Sequence, residues 1–415
     1  MLEMALGYQS FKDTASCSVG SVASLVVAAN PSMPHAAVAA GSHGAVQHLI
    51  AASLLKHPQT PPAMADVSDD LPKTVVQTLN QGSDVMSMDF HPQQQNILLV
   101  GTNVGEISIW KVECRDPLEH KPFTVWDITS CSMQFHINMK KNAIVSVNRC
   151  TWGPDGSVLG VAFSKHIVHV YTYNQSRELT QLLEIDAHDG GVNDIAFAHP
   201  YKQLSIVTCG DDKTIKVWDA VGGGRQYTFV GHEAPVYSVC PHYKEHIPFI
   251  FAAAIDGKIK AWRYDDLGPR VEFDALGLCC TSMAYSKDGT RLFTCGTSEE
   301  GEAFLAEWND SIGAVKRLYS GFRKQSSGVV QFETTRNRFL AAGDEFQIKF
   351  WDMDSANMLT ATNADDELPE RPRLRFNKEG SLLAVTTRNN GIKILANGDG
   401  QNMIRRLEKR ANDGV

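Results

Sequence analysis

A short strand of the form Ile-Lys-Val-Trp recurs seven times along this chain. It stands as Ile107-Ser108-Ile109-Trp110, Val168-His169-Val170-Tyr171, Ile215-Lys216-Val217-Trp218, Ile259-Lys260-Ala261-Trp262, Leu305-Ala306-Glu307-Trp308, Ile348-Lys349-Phe350-Trp351 and Ile392-Lys393-Ile394-Leu395. The final positions are 61, 47, 44, 46, 43 and 44 residues apart. A β-rich repeat of about 44 residues matches one four-stranded propeller blade. Such a unit cannot bury its own apolar face, so neighbouring copies must pack on each other. Seven copies predict an all-β chain folded as a seven-bladed β-propeller over residues 74–408.

Each repeat also carries an alternating apolar strand, such as Val85-Met86-Ser87-Met88-Asp89-Phe90 and Val192-Asn193-Asp194-Ile195-Ala196-Phe197. A turn follows (His91-Pro92, Pro154-Asp155-Gly156, His199-Pro200, Lys287-Asp288-Gly289, Lys378-Glu379-Gly380), then a second apolar strand. Strand, turn, strand, turn, strand is a meander, as a blade requires. The wide first spacing predicts an insert over residues 129–146. Trp126-Asp127 resembles a repeat ending but lies too close to Trp110. It is assigned to the outer strand of the second repeat, over 123–128, which avoids a false eighth blade. Two segments compete to supply the outer strand of the last blade, residues 74–79 and 401–407. The first is preferred, because a propeller usually closes by pairing an N-terminal strand with its last blade.

Residues 1–73 differ. Residues 1–65 hold 14 alanines, no tryptophan, and only Tyr8 and Phe11 as aromatics. Such a stretch buries too little apolar surface to offset its ordering entropy, which predicts a disordered linker arm containing Ala and Pro. Glu3, Asp13 and Lys12 give no positive leader for a secretory signal, and the arm lacks the arginines of an organelle transit peptide. The nine cysteines form no framework and are read as reduced, mostly buried thiols of an intracellular protein. The net charge of −8 argues against a protein held on nucleic acid by phosphate contacts. No apolar run reaches 18 residues, so no membrane partner is expected.

The third repeat reads Asp186-Ala187-His188, Thr208, Asp211-Asp212 and Trp218-Asp219. The fourth reads Gly231-His232, Asp256-Gly257 and Trp262. These resemble the Gly-His … Trp-Asp signature of WD40 repeats, a family in which His, Ser/Thr, Asp and Trp form a buried hydrogen-bond network. The resemblance implies a full network of His188, Thr208, Asp212 and Trp218. It implies an incomplete one around His232, Asp256 and Trp262, where Ala252 stands in place of the threonine. A recurring His–Asp pair with no nucleophile fixed beside it is structural rather than catalytic.

Longer runs narrow the likeness. Residues 70–92, ending Val85-Met86-Ser87-Met88-Asp89-Phe90-His91-Pro92, resemble the start of the first propeller of the plant Topless-related transcriptional corepressors. Gly210-Asp211-Asp212-Lys213-Thr214-Ile215-Lys216-Val217-Trp218-Asp219 and Gly343-Asp344-Glu345-Phe346-Gln347-Ile348-Lys349-Phe350-Trp351-Asp352 are similar to the same family. The likeness covers nearly all of 70–408. It implies a WD40 propeller acting in the nucleus on protein partners such as transcription factors, adaptors and chromatin factors. Residues 1–50 show none of the helical LisH/CTLH-type domain that opens such proteins, and no second propeller is expected within 415 residues. The family's peptide-binding groove is therefore carried over to no residue here.

Motifs of chemistry are few. There is no phosphate-loop, dinucleotide, zinc-protease or Cys-x-x-Cys pattern, so no cofactor, metal or catalytic residue is expected. Gly222-Gly223-Gly224 reads as a strand connection, His242 and His246 as surface residues, and Asp365-Asp366-Glu367 as a solvated loop. Arg405, Arg406, Lys409 and Arg410 read as part of a charged tail, with 409–415 outside the propeller. Function on a propeller belongs to loops around the channel. Met86, Asn148, Asn193, Tyr237 and Thr281, near the starts of the inner strands, are the candidate partner contacts at one channel mouth. The expected activity is a corepressor scaffold; the alternative is a generic WD40 scaffold without autonomous repression.

Overall fold

The computed structural model describes residues 71–413, apart from 127–143, 175–177, 243–248, 265, 277–278, 287–288, 298–301, 310–312, 323–330, 335–338, 345 and 371. The arm, up to residue 70, and most of the 129–146 insert lie outside the described residues.

Seven antiparallel four-stranded sheets follow one another along the chain. The third is representative: Val192–Ala198, Ser205–Gly210, Ile215–Asp219 and Arg225–Phe229 pair in that order from the channel outward. Its second strand, SIVTCG, is buried throughout, because a neighbouring blade covers each face of the sheet. Its outer strand, RQYTF, starts exposed and ends buried. This gradient explains why the middle strands read as apolar runs and the outer ones as polar. Apolar clusters bridge neighbouring blades: Val207 and Val217 of the third pack with Ile250 and Trp262 of the fourth.

Ring closure falls to the N-terminal candidate. Thr74–Asn80 is the outer strand of the last blade, antiparallel to Gly391–Ala396, with Thr74 opposite Ala396 and Asn80 opposite Gly391. Leu79 is 1% exposed there and joins Val85, Val100, Ile392 and Ile394 in one cluster. The first and last blades thus share a core.

The competing segment, 401–407, is not a strand. It lies within the helix Gly398–Asp413, which also runs through position 408, where the propeller was expected to end. The local chemistry explains it: the Gly400 amide donates to Asn397 Oδ1 (2.9 Å) and the Gln401 amide to the Asn397 carbonyl (2.9 Å). Asn397 is an N-cap, with Asp399 in the first turn and Arg410 in the last, the charge order a helix dipole favours. A Cβ on Gly400 would lie 2.3 Å from the Ser381 carbonyl oxygen, so glycine permits the close approach. Ile404 is buried against the first and last blades.

Trp126 is not in a strand either. The outer strand of the first blade is Glu119–Lys121. The chain then crosses to the second blade, where the Trp126 ring stacks on His169 (4.1 Å) and its amide donates to Glu184 Oε2 (2.8 Å). The apolar residues of 123–126 serve packing between blades rather than strand pairing.

Candidate functional site

The four residues of the third-repeat signature converge. Trp218 Nε1–H donates to Thr208 Oγ1 (3.0 Å), and the Thr208 hydroxyl donates to His188 Nε2 (2.7 Å). The remaining ring proton, on His188 Nδ1, is thereby directed to Asp212 Oδ1 (2.9 Å). Burial keeps His188 below its ordinary pKa, against the pull of Asp212. Asp212 is opposed by burial, but bonds from His188, Thr214 and Lys216 hold its carboxyl well below the usual carboxylate range. The carboxylate also accepts the Asp189 amide (3.2 Å) and the Thr214 hydroxyl (2.8 Å). Every polar atom of the relay is engaged, so it clamps the loop at 187–189 to the turn at 211–214. Gly210 is required beside it, because a Cβ there would lie 2.7 Å from His188 Cγ.

In the fourth blade the relay is missing. Ala252 stands opposite Lys260 in the same register that places Thr208 opposite Lys216. His232 and Trp262 keep their places, ring centroids 5.0 Å apart. Among the described residues, neither His232 nitrogen nor the Trp262 indole N–H has a hydrogen-bond partner. Asp256 is exposed and accepts the Lys258 amide (3.0 Å) of its own turn.

The lysine of the repeat motif has a role that local sequence does not reveal. Lys216 Nζ lies 2.7 Å from the Ala187 carbonyl oxygen, and Lys260 Nζ 2.8 Å from that of Gly231. Lys349 reaches Gly321 (2.8 Å) and Lys393 reaches Ala364 (2.6 Å) in the same way. In four blades, therefore, a third-strand ammonium ties down the loop that leads into its own inner strand. The signal was a lysine at a fixed place between buried residues.

Met86, Asn148, Asn193, Tyr237 and Thr281 share one backbone feature. In five blades the inner strand skips a residue in its pairing with the second strand, and the skipped residue is each of these in turn. A β-bulge re-aims the side chain and leaves the residue outside the ladder. Two of the five are used between blades: Asn148 Nδ2 donates to the Val192 carbonyl (2.9 Å), and Asn193 Nδ2 to that of Val236 (3.0 Å). Met86, half-buried, accepts the Arg373 guanidinium on its carbonyl.

One residue further along, the inner strands are linked laterally. Ser87 Oγ accepts the Cys150 amide (3.0 Å), Asp194 Oδ2 the Val239 amide (3.0 Å) and Ser238 Oγ the Met283 amide (3.2 Å). Arg149 Nε lies 3.5 Å from Asp194 Oδ1. Burial raises the Asp194 pKa against Arg149 and the bonds it accepts. From the last blade to the first, Arg375 Nη2 pairs with Asp89 Oδ1 (2.8 Å), while Asp89 Oδ2 accepts the Trp152 amide (2.8 Å). These bonds hold the bulged residues on a stiff ring.

Two stretches, 179–219 and 223–263, match the WD domain, G-beta repeat family model. Each begins with the outer strand of one blade and ends with the third strand of the next. Topless-related protein 2 of Oryza sativa subsp. japonica is 60% identical across 97% of this chain, which covers 39% of that relative. Topless-related protein 1 and Protein TOPLESS of Arabidopsis thaliana are each 61% identical across 83% of the chain, which covers 31% and 30% of their lengths. Over its propeller, this chain is strongly similar to the Topless-related proteins. It spans less than two-fifths of the length of these curated relatives.

Among the described residues of the propeller, the remaining sequence candidates carry no converging chemistry. Among the described residues, no three His, Cys, Asp or Glu side chains group to hold a metal ion. His242 packs edge-on against Tyr285 (4.9 Å), and His246 lies outside the described residues. Cys150, Cys209, Cys240 and Cys295 are buried thiols outside any disulfide, and burial pushes the Cys150 and Cys240 thiols up to about 12. No described helix is long and apolar enough to cross a membrane.

Proposed function

We propose that this WD40 scaffold acts as a Topless-like transcriptional corepressor in the nucleus, contacting transcription factors, adaptors or chromatin factors. The supporting observation is the 60–61% identity to Topless-related proteins across the ring. The stiff ring supports a binding role, since loops on a rigid scaffold carry function. Of the five bulged residues, Met86 and Tyr237 are half-buried at the start of their strands and are the foremost contact candidates. The closed His188–Asp212 relay supports a non-catalytic reading, because the one hydroxyl set against His188 Nε2, that of Thr208, is fully buried and also accepts the Trp218 indole N–H.

The test is a fusion of the full chain to a DNA-binding domain upstream of a reporter. Transcription should fall, and Tyr237→Ala, with an unchanged melting temperature, should weaken the fall. Unchanged transcription on tethering would refute autonomous corepression and favour the generic scaffold. A fluorescent fusion excluded from the nucleus would refute the localisation.

A further inference from the structure

The helix Gly398–Asp413 turns Ile404 and Gly400 onto the propeller and leaves a flank uncovered. Along that flank runs a shallow depression lined by Asp399, Asn402, Met403, Arg406, Leu407 and Arg410. Met403 and Leu407 are half-buried, Met403 with one side against the core shared by the first and last blades, and the other four are exposed. Spacings of three and four residues place all six on one helical stripe. Among the described residues, Asp399, Arg406 and Arg410 make no ion pair.

Reversed, this stripe complements itself: its acidic end, Asp399, falls opposite its basic end, Arg410, and its two apolar residues fall opposite each other. An antiparallel copy centred on position 405 sets Met403 against Leu407 of the second copy, and Leu407 against its Met403. The same alignment brings Asp399 within one position of Arg410 of the second copy, twice by symmetry. An isologous twofold contact demands this self-complementarity. We propose that this flank is a homodimer surface, an antiparallel helix pair with two apolar contacts at its centre and an Asp399–Arg410 ion pair at each end.

The contact is weak by construction. One helix pair covers less than the ~1,200 Å² of a stable specific interface. Arg406 lies beside the twofold axis and meets its own copy. The expected association is therefore fast, reversible and visible only at high protein concentration.

Sedimentation of the full chain from about 5 to about 200 µM, the range in which small interfaces associate, tests the proposal. The weight-average mass should rise toward that of a dimer. Asp399→Arg, which turns two attractions into two repulsions, should weaken association about tenfold. Arg410→Asp should do the same, and the double variant Asp399→Arg/Arg410→Asp should restore the original affinity. That rescue separates an interface from helix fraying, because both reversals oppose the helix dipole and together would fray the helix most. Leu407→Lys should abolish association, and Arg406→Gln should tighten it. A chain monomeric at the highest concentration overturns the proposal. So does association unchanged in Leu407→Lys, or a double variant weaker than either single one.

Discussion

Thr208 Oγ1 sits 2.7 Å from His188 Nε2, and through this one oxygen the buried imidazole is joined to the Trp218 indole. The fourth blade has the same ring pair without the oxygen, because Ala252 occupies the register of Thr208.

Ala252→Thr should therefore stabilise the protein, by about 1 kcal/mol, the net worth of a typical buried hydrogen bond. Thr208→Ala should cost about 2 kcal/mol, since it leaves buried His188 and Trp218 atoms unsatisfied. Urea denaturation measures both. A destabilised Ala252→Thr protein would show that the added methyl overpacks the site.

Acid should act through His232. Burial first, then the Lys260 charge, lowers its pKa from 6.5 to about 4 in the folded chain. The folded state then binds fewer protons than the unfolded one between these values. Stability is complete above pH 6.5 and falls as pH drops toward about 4. His91, His169 and His188 are shifted the same way and add to the slope. His232→Gln should flatten the fall of melting temperature with acid; an equal slope would remove His232 from the account.

Leu79 tests the closure of the ring. Truncating this fully buried side chain of the closing strand should cost about 2–4 kcal/mol, for lost burial and the cavity left behind. Deleting residues 1–80 should cost more and promote aggregation, because it bares the edge of Gly391–Ala396. A deletion that melts like the full chain would contradict the observed pairing.

Lys393 tests the loop clamps. Its ammonium meets the carbonyls of Ala364 (2.6 Å) and Asp365 (3.3 Å) and Glu367 Oε2 (3.1 Å). These hold Ala364, Asp365 and Asp366 in three successive left-handed conformations, φ 48°, 63° and 60°. Side chains rarely adopt even one. Lys393→Met, which keeps the length and removes the charge, should cost about 2 kcal/mol as a lost charged hydrogen bond. A loss within error in a urea titration would refute the clamp.

The ring itself was legible in the sequence because its cause is local and repeated. Alternating apolar residues mark the inner strands, apolar runs mark strands covered on both faces, and Gly, Asp and Pro mark the turns. The third-repeat signature was legible too, and Ala252 exposed the defect in the fourth. Other features escaped because their partners are distant in the chain. Ser87 and Cys150 are 63 positions apart, and Asp194 and Val239 are 45 apart, so no local pattern couples them. Asn148 and Asn193 read as partner contacts at the channel mouth for that reason, although they donate to the next blade. The helix at 398–413 was missed because its N-cap, Asn397, follows a strand without a break. The lysines at 216, 260, 349 and 393 show no role in the local sequence, since their acceptors are backbone carbonyls some 28–29 positions away.

The closing strand has one more consequence, in time rather than in space. Thr74 pairs with Ala396, so the first strand of the ring to leave the ribosome receives its partner last. At ordinary synthesis rates, roughly 15–60 s separate the two. Through that interval 74–80 is an unpaired strand with both edges open, and six blades must accumulate before it has a place to go. An edge left open that long is one another chain can pair with.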